Sequence, residues 1–84
     1  MNDAAISGPH AIELIAAAQR QVALKVALQE LPDAQREAVL LRFDQGLDYS
    51  TIAQMLGRSE STIRSQVFYG LKKLRELLQV QESA

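Results

Sequence analysis

Cysteine is absent from this chain of 84 residues, and histidine occurs only once. Without cysteine the chain has no disulfide and no thiolate metal site, and one imidazole cannot form a zinc cluster or a charge relay. The sequence also offers no pairing of a nucleophile with a base, so enzyme function is disfavoured and neither a cofactor nor a metal is expected. The fold must therefore be held together by packing alone.

Long apolar runs are missing as well. The alanine-rich stretch near the start is interrupted by polar residues at positions 19–21 and 25, so it resembles neither a membrane span of about 20 apolar residues nor a secretory signal. Hydrophobic residues make up 48% of the chain and charged residues 23%, which is typical of a globular domain rather than a disordered segment. The sequence predicts one small domain located in the cytoplasm.

Net charge is also small, at −1, but it is unevenly distributed. Residues 1–57 carry four cations against seven acids, whereas residues 58–84 carry five cations against three acids. Local charge matters more than the total when a ligand meets one face of a protein. The C-terminal third is therefore the part suited to a polyanionic partner.

Proline and glycine are scarce, and the few present mark the ends of helices. Residues 1–9 show no periodicity and are interpreted as a leader, with Pro9 suited to a first helical turn. A helix is predicted over residues 10–30 because strong helix formers fill it. It carries two apolar stripes, one of Ile12, Ile15, Val22 and Val26 and the other of Leu14, Leu24 and Leu28. One stripe can face the domain, and the other would need a partner such as a second copy of the helix.

Three further helices are predicted after Pro32, which disfavours helix at the residue before it and suits a first turn. The second runs from about 33 to 45 with Gly46 as a left-handed C-cap, and the third is short and lies between an Asp48 N-cap and Gly57. The fourth starts after a Ser59 cap and ends near residue 79, leaving 80–84 as a frayed tail. The predicted inward-facing residues of these helices are Val39, Leu40, Phe43, Ile52, Ala53, Leu56, Ile63, Val67, Gly70, Leu71, Leu74 and Leu78. No segment alternates as a strand does, so we predict an all-α, four-helix domain over residues 10–79.

The third and fourth helices have the spacing of a helix-turn-helix, which is also the motif of winged-helix-like domains. Ala53 is small enough for the two helices to approach, and Gly57 suits the tight turn. In such a motif the first turns of the second helix enter the major groove of DNA. The outward-facing candidates for DNA contact are Ser61, Thr62, Arg64, Ser65, Gln66 and Tyr69, flanked by Phe68 and Lys72.

Several of these residues occur in a recognisable order. The Leu-Pro start at 31–32, the Arg-Glu pair at 36–37, the Leu-Arg at 41–42 and the Leu-Lys-Lys-Leu-Arg at 71–75 are in register with one another. Over residues 24–79 the chain resembles region 4 of bacterial sigma-70-family factors, especially the extracytoplasmic-function type. The resemblance implies that the fourth helix reads the minus-35 promoter element and that the first two helices grip the flap of the RNA polymerase β subunit.

The resemblance also implies roles for single residues. Arg64 and Ser65 match contacts to the groove or to phosphate, Thr62 matches a first-turn contact, and Arg58 is suited to the DNA backbone. The family usually has arginine at the positions of Gln66 and Tyr69, and glycine is common at the position of Ser61.

Two alternatives remain open on the sequence. One is a sigma-like protein-interaction module, either a sigma mimic or the target of an anti-sigma factor, which the apolar first helix and the missing arginines favour. The other is a DNA-binding regulator of the LuxR type, which shares the helix-turn-helix but has a histidine where this chain has Ser65-Gln66.

Overall fold

The computed structural model describes residues 9–83, with side chains over residues 10–79. Within that range the chain forms α1 (Pro9–Gln29), α2 (Asp33–Val39), a π-helical turn (Leu40–Asp44), α3 (Tyr49–Leu56) and α4 (Glu60–Ser83). The all-α prediction is confirmed, and residues 9–83 contain no strand. Of the predicted leader over residues 1–9, residues 1–8 lie outside the described residues, and Pro9 begins α1 instead. The prediction of a frayed tail over residues 80–84 is corrected up to Ser83, because α4 continues to that residue, and Ala84 lies outside the described residues.

A core beneath the helix-turn-helix joins α2, α3 and α4. It consists of five buried residues: Ala38, Ile52, Ala53, Ile63 and Val67. Ile52 and Ile63 are fully buried, as their predicted inward positions require. Partly buried Leu56 packs against the same cluster. This core sets the crossing of α3 and α4.

The predicted caps are present at both ends of α3 and at the start of α4. Asp48 Oδ1 accepts a hydrogen bond of 2.8 Å from the Thr51 N–H, and Gly57 closes the helix in the left-handed conformation at φ +66°. Ser59 Oγ accepts a hydrogen bond of 3.0 Å from the Thr62 N–H. Each side chain satisfies an N–H that the first helical turn leaves without a partner, which fixes where each helix begins.

A second cluster ties α1 and α2 to α4. Its buried members are Ala27, Leu31, Val39 and Leu74. Buried Gly70 lies where α4 passes α2, because a side-chain Cβ at this position would be 2.7 Å from Val39 Cγ2. The prediction that Leu71 faces the core is wrong, since 41% of it is exposed. It follows Gly70 directly and is therefore turned by about 100° around the helix, out of the contact.

The prediction that one apolar stripe of α1 faces the domain is confirmed only at the C-terminal end of the second stripe. All four residues of the first stripe are exposed, and in the second stripe Leu14 and Leu24 remain 65% and 41% exposed. The last turns of α1 reach the body, where fully buried Ala27 and partly buried Leu28 join the second cluster. The small alanine side chain lets α1 approach α4 closely and leaves the larger side chains outside.

The second predicted helix changes type along its length. After Val39 the backbone widens into a π-helical turn, in which the Gln45 N–H reaches the Leu40 carbonyl at 3.1 Å. Because a π-helix has more residues per turn, it moves side chains off the apolar side that an α-helix would have kept in line. Leu40 and Phe43 are consequently 39% and 58% exposed, which corrects their predicted core positions. Gly46 follows with φ +70°, as expected for its place after the helix.

The described helices also bear on membrane insertion. Within residues 9–83, no helix combines the length and the apolar character needed to cross a bilayer.

Candidate nucleic-acid interface

The first half of α4 presents a polar surface on the side away from the core. Buried Ile63 and Val67 point inward, and the predicted contact residues lie around the rest of the helix. We call these seven residues the reading face: Ser61, Thr62, Arg64, Ser65, Gln66, Tyr69 and Lys72. Six of them are exposed, and Gln66 is half-buried. The structure therefore brings together on one helix all the predicted contact residues except Arg58.

Arg64 supplies the guanidinium group of the reading face, and two neighbouring side chains, Glu60 and Tyr49, orient it. Its Nη2 donates a hydrogen bond of 3.0 Å to Glu60 Oε1, one helical turn earlier. Its guanidinium carbon also lies 5.3 Å from the ring centre of Tyr49 at the start of α3. The side chain nevertheless remains 63% exposed. A planar fork held in this way is suited to bidentate contact with a guanine edge or a phosphate.

Tyr49 is a residue that the sequence reasoning did not select as part of the site. The Arg42 guanidinium carbon lies 5.2 Å from the same ring, so two arginines share one aromatic side chain. Arg42 is itself held by a hydrogen bond of 3.2 Å from Nη1 to the Leu47 carbonyl. Each cation–π contact is attractive because the face of the ring is negative. The sequence signal for Tyr49 was an aromatic residue directly after the Asp48 N-cap. It stands at the start of α3, which the helix-turn-helix places beside α4.

Arg58 lies in the turn between α3 and α4 and contacts both α2 and α4. Its Nη1 donates to Gln66 Oε1 at 3.1 Å, and its Nη2 donates to Glu37 Oε1 at 3.0 Å. The Arg58 side chain is 29% exposed, so these bonds fix it against the body. Two of its terminal N–H groups have partners within the protein, and the bond to Gln66 orients that amide at the edge of the reading face.

The start of α4 is organised by hydroxyl groups. The Ser59 hydroxyl donates a hydrogen bond of 2.8 Å to Thr62 Oγ1 while accepting one from the Thr62 N–H. A threonine hydroxyl that accepts a bond keeps its own hydrogen to donate. Ser61 and Ser65 lie in a shallow depression beside Glu60 and Arg64. This end of the helix can therefore offer donors to base edges or phosphate oxygens.

Aromatic and basic side chains continue the surface further along α4. Phe68 and Tyr69 are 63% and 55% exposed, and their rings meet edge to face at a centroid distance of 5.2 Å. Lys72 and Lys73 lie beyond them and line a shallow depression with Tyr69. The cations of residues 58–75 thus lie along or next to the reading face, with Glu60 as the single acid among them.

A separate apolar groove lies between α1 and the end of the second helix. Its floor and walls are formed by Leu24, Leu28, Val39, Leu40 and Phe43. Gln21, Lys25 and Asp44 complete its rim. The groove exists because the π-helical turn moves Leu40 and Phe43 out of the core. Exposed aliphatic and aromatic side chains grouped in this way are typical of a surface that binds protein.

The charge state of one cap is also shifted. The pKa of Asp48 is lowered because its carboxylate accepts hydrogen bonds from the Thr51 N–H and the Thr51 side chain, and the nearby Arg42 adds a positive charge. Within the described residues, no three or more histidine and acidic side chains come together as a metal site would require.

Comparison with known proteins identifies the family to which this arrangement belongs. No curated protein sequence matches the chain. The family model described as Sigma-70, region 4 matches residues 27–76, which is more than half of the chain and includes α2, α3 and most of α4. Region 4 is a DNA-binding domain that works with RNA polymerase, and the polar reading face on α4 agrees with that role. The chain therefore belongs to the sigma-70 region 4 family.

Proposed function

We propose that this domain recognises the minus-35 promoter element and directs RNA polymerase to it during transcription initiation. The observation that carries the proposal is the exposed reading face, with Arg64 held in a defined orientation on the second helix of a helix-turn-helix. The N-terminal turns of such a helix fit the major groove, where the four base pairs present different donors and acceptors. In bacteria this activity would place the protein in the cytoplasm.

Each group of the reading face has a chemical role in this proposal. Arg64 donates to guanine O6 and N7 or to a phosphate, and the hydroxyls of Ser61, Thr62 and Ser65 bond to bases or phosphates. Gln66 offers its amide to a base edge, with Arg58 holding its oxygen. Tyr69 contacts the sugar-phosphate backbone, and Lys72 neutralises phosphate charge.

Arg58 can support the same contact from the turn. Five N–H groups belong to a guanidinium, and intramolecular hydrogen bonds occupy one on each terminal nitrogen. The remaining donors are available to a phosphate at the groove edge. In this proposal Arg58 positions Gln66 and contacts the DNA backbone at the same time.

The apolar groove is proposed to receive the flap of the polymerase β subunit. It lies between the first two helices, where the family resemblance expects the flap contact. Leu24, Leu40 and Phe43 line it and are 41%, 39% and 58% exposed. A helix with an apolar face would bury these side chains, as in other complexes where a helix lies in a groove. DNA and polymerase would then occupy two different surfaces of the domain.

The test of DNA recognition is a titration of a labelled minus-35 duplex with the full chain, with and without a β-flap fragment. Arg64→Ala should weaken binding by about 1–3 kcal/mol, which is about 5- to 150-fold. Arg20→Ala is the matched control because it removes the same charge from an exposed position on α1. Equal affinity of the wild-type protein and Arg64→Ala would contradict the proposal.

The flap contact is tested separately by titrating the same fragment in the absence of DNA. Phe43→Ala should weaken the flap complex and leave DNA affinity unchanged. Phe68→Ala is the matched control, since Phe68 is similarly exposed but lies on α4. Unchanged flap binding by Phe43→Ala would show that the groove is not the docking surface.

An anti-sigma factor is a second candidate partner for this groove. The exposed apolar side chains of α1 and the π-helical turn favour it, because an inhibitor that covers them would keep the domain from polymerase. Competition between such an inhibitor and the β-flap fragment for the wild-type protein, lost in Phe43→Ala, is the expected result. Simultaneous binding of both would contradict a shared groove.

A further inference from the structure

The first apolar stripe of α1 is exposed, and its residues are spaced as in a helix that pairs with another helix. Ile12, Ile15, Gln19, Val22 and Val26 follow one another at intervals of three, four, three and four residues. This is the a and d pattern of a heptad repeat, with residues 12, 19 and 26 at a and residues 15, 22 and 29 at d. We call this row the α1 seam. Its four aliphatic side chains are 47–70% exposed.

The seam and the domain lie on different sides of α1. The apolar α1 residues that contact the body or line the apolar groove, Leu24, Ala27 and Leu28, occupy the b, c and f positions of the same heptads, and only Lys25 at g lies both on the groove rim and beside the seam. Those positions lie on the far side of a helix from its a and d residues. The body therefore holds the last turns of α1 in place without covering the seam.

We propose that the α1 seam pairs with the same seam of a second copy of this chain, as a short parallel two-stranded coiled coil. The positions beside the seam support this occupant. Alanine fills most of them, at Ala11, Ala16, Ala18 and Ala23, of which Ala11 is already buried within one copy. Small side chains at these places let two helices approach closely. A dimer of this kind uses no residue of the reading face, so it stands independently of the proposed DNA contact.

The two charged residues beside the seam specify the direction of pairing. Lys25 occupies a g position and Glu30, directly after the helix, occupies the e position of the next heptad. In a parallel dimer a g residue faces the e residue five positions later on the other chain. Lys25 of each copy therefore faces Glu30 of the other, which gives two such pairs in the dimer. Neither residue takes part in the ion pairs found within residues 10–79.

An antiparallel arrangement fits the same residues less well. It places g beside g and e beside e, which sets Lys25 and Glu30 against alanines. In the antiparallel arrangement Gln19 of one helix lies opposite Val22 of the other. Its buried amide then has no polar partner, which lowers the stability of the dimer. In the parallel dimer the two Gln19 side chains meet and can bond to each other. A single polar a layer of this kind is a known determinant of register and strand number.

The length of the seam sets the strength of the dimer. Residues 12–29 span about 27 Å of helix, and only four aliphatic side chains per chain are buried on pairing. Interfaces smaller than the standard size of about 800 Å² per partner form weak, reversible complexes. The dimer should therefore assemble as the concentration rises from about 1 µM to about 1 mM.

The first experiment measures the molecular mass of the full chain by sedimentation equilibrium over that range. The mass should rise from that of one chain towards that of two. Val22→Glu places a charge in the seam and should remain a monomer throughout, whereas Gln21→Glu adds the same charge at the neighbouring c position and should dimerise. Circular dichroism establishes that both variants keep their helices. A wild-type monomer at every concentration would overturn the proposal, as would equal dimerisation of the two variants.

The second experiment tests whether the two helices pair in parallel. Because the chain has no cysteine, an introduced cysteine is the only one that can cross-link. Val26→Cys should form a cross-linked dimer on mild oxidation, since two residues at the same a position meet only when the helices are parallel. Ala17→Cys, at an f position, is the control and should not cross-link. Efficient cross-linking of the control, or none at position 26, would overturn the parallel arrangement.

Charge reversal at the flanking pair gives an independent check of register. Lys25→Glu and Glu30→Lys should each weaken the dimer severalfold, because each sets like charges opposite one another. The double variant restores opposite charges and should recover wild-type dimerisation. If the losses of dimer affinity in the two single variants simply added in the double variant, the proposed pairing of these residues would be overturned.

Discussion

Replacing Gly70 with alanine tests how closely α4 passes α2. Helix propensity alone predicts a gain, since alanine is favoured over glycine within a helix by about 1 kcal/mol. The packing predicts the opposite, because the new Cβ would lie 2.7 Å from Val39 Cγ2 and 3.5 Å from the Gln35 carbonyl oxygen. Val39 is 5% exposed and β-branched, so its methyl group cannot rotate away freely.

The expected result follows from the difference between these two effects. Overpacking a buried contact costs about 1–3 kcal/mol. After the gain in propensity is subtracted, Gly70→Ala should lower the free energy of unfolding by about 1 kcal/mol and at most by about 2 kcal/mol. In a domain of this size each kcal/mol corresponds to about 4–8 °C in the melting temperature.

Thermal and urea unfolding of the full chain, followed by circular dichroism at one protein concentration, measure this change. The matched variants are Val39→Ala alone and Val39→Ala combined with Gly70→Ala. The added methyl group occupies part of the space that Val39 vacates, so the double variant should lose less stability than the sum of the two single losses. An increase in melting temperature for Gly70→Ala would refute the close contact. Strict additivity would contradict it as well.

Two further predictions concern charge. Glu60→Gln removes the negative charge that attracts Arg64 and repels DNA, so the affinity for the minus-35 duplex should rise about fivefold, which corresponds to about 1 kcal/mol, in the titration used above. The control Glu13→Gln on α1 should leave affinity unchanged, and a fall in affinity for Glu60→Gln would contradict the prediction. Because the folded pKa of Asp48 is lowered, its contribution to stability is present above the unfolded value of about 3.9 and is lost as the pH falls through the folded pKa. Melting temperatures between pH 6 and pH 2 should decline less steeply in Asp48→Asn than in the wild-type protein, and parallel curves would show that this carboxylate is not responsible.

The helices and their caps were predictable because they depend on local chemistry. The Asp48 and Ser59 side chains each bond to an N–H three residues later, and Gly57 adopts a positive φ that other residues disfavour. The positions of Ile52 and Ile63 in the core followed from helical periodicity in the same way. The spacing of these signals also identified the helix-turn-helix and the helix that carries the candidate site.

Other features depend on contacts between elements that are distant in sequence. The π-helical turn moves Leu40 and Phe43 outward, although both fit an ordinary apolar stripe. The orientation of Arg64 depends on Tyr49, fifteen residues earlier, and periodicity does not indicate that pairing. The sequence suggested Arg58 only as a contact to the DNA backbone, whereas in the fold it is hydrogen-bonded to Gln66 and Glu37.

The sequence by itself therefore determined the number and order of the helices, the turn between α3 and α4 and the membership of a DNA-binding family. These properties follow from backbone preferences, capping and spacing, which act over a few residues. The tertiary structure alone decided which apolar side chains are buried and which remain exposed for partners. That choice depends on how closely two helices can approach: Ala27 lets the end of α1 pack against the body with its seam uncovered, and Gly70 lets α4 pass close to α2.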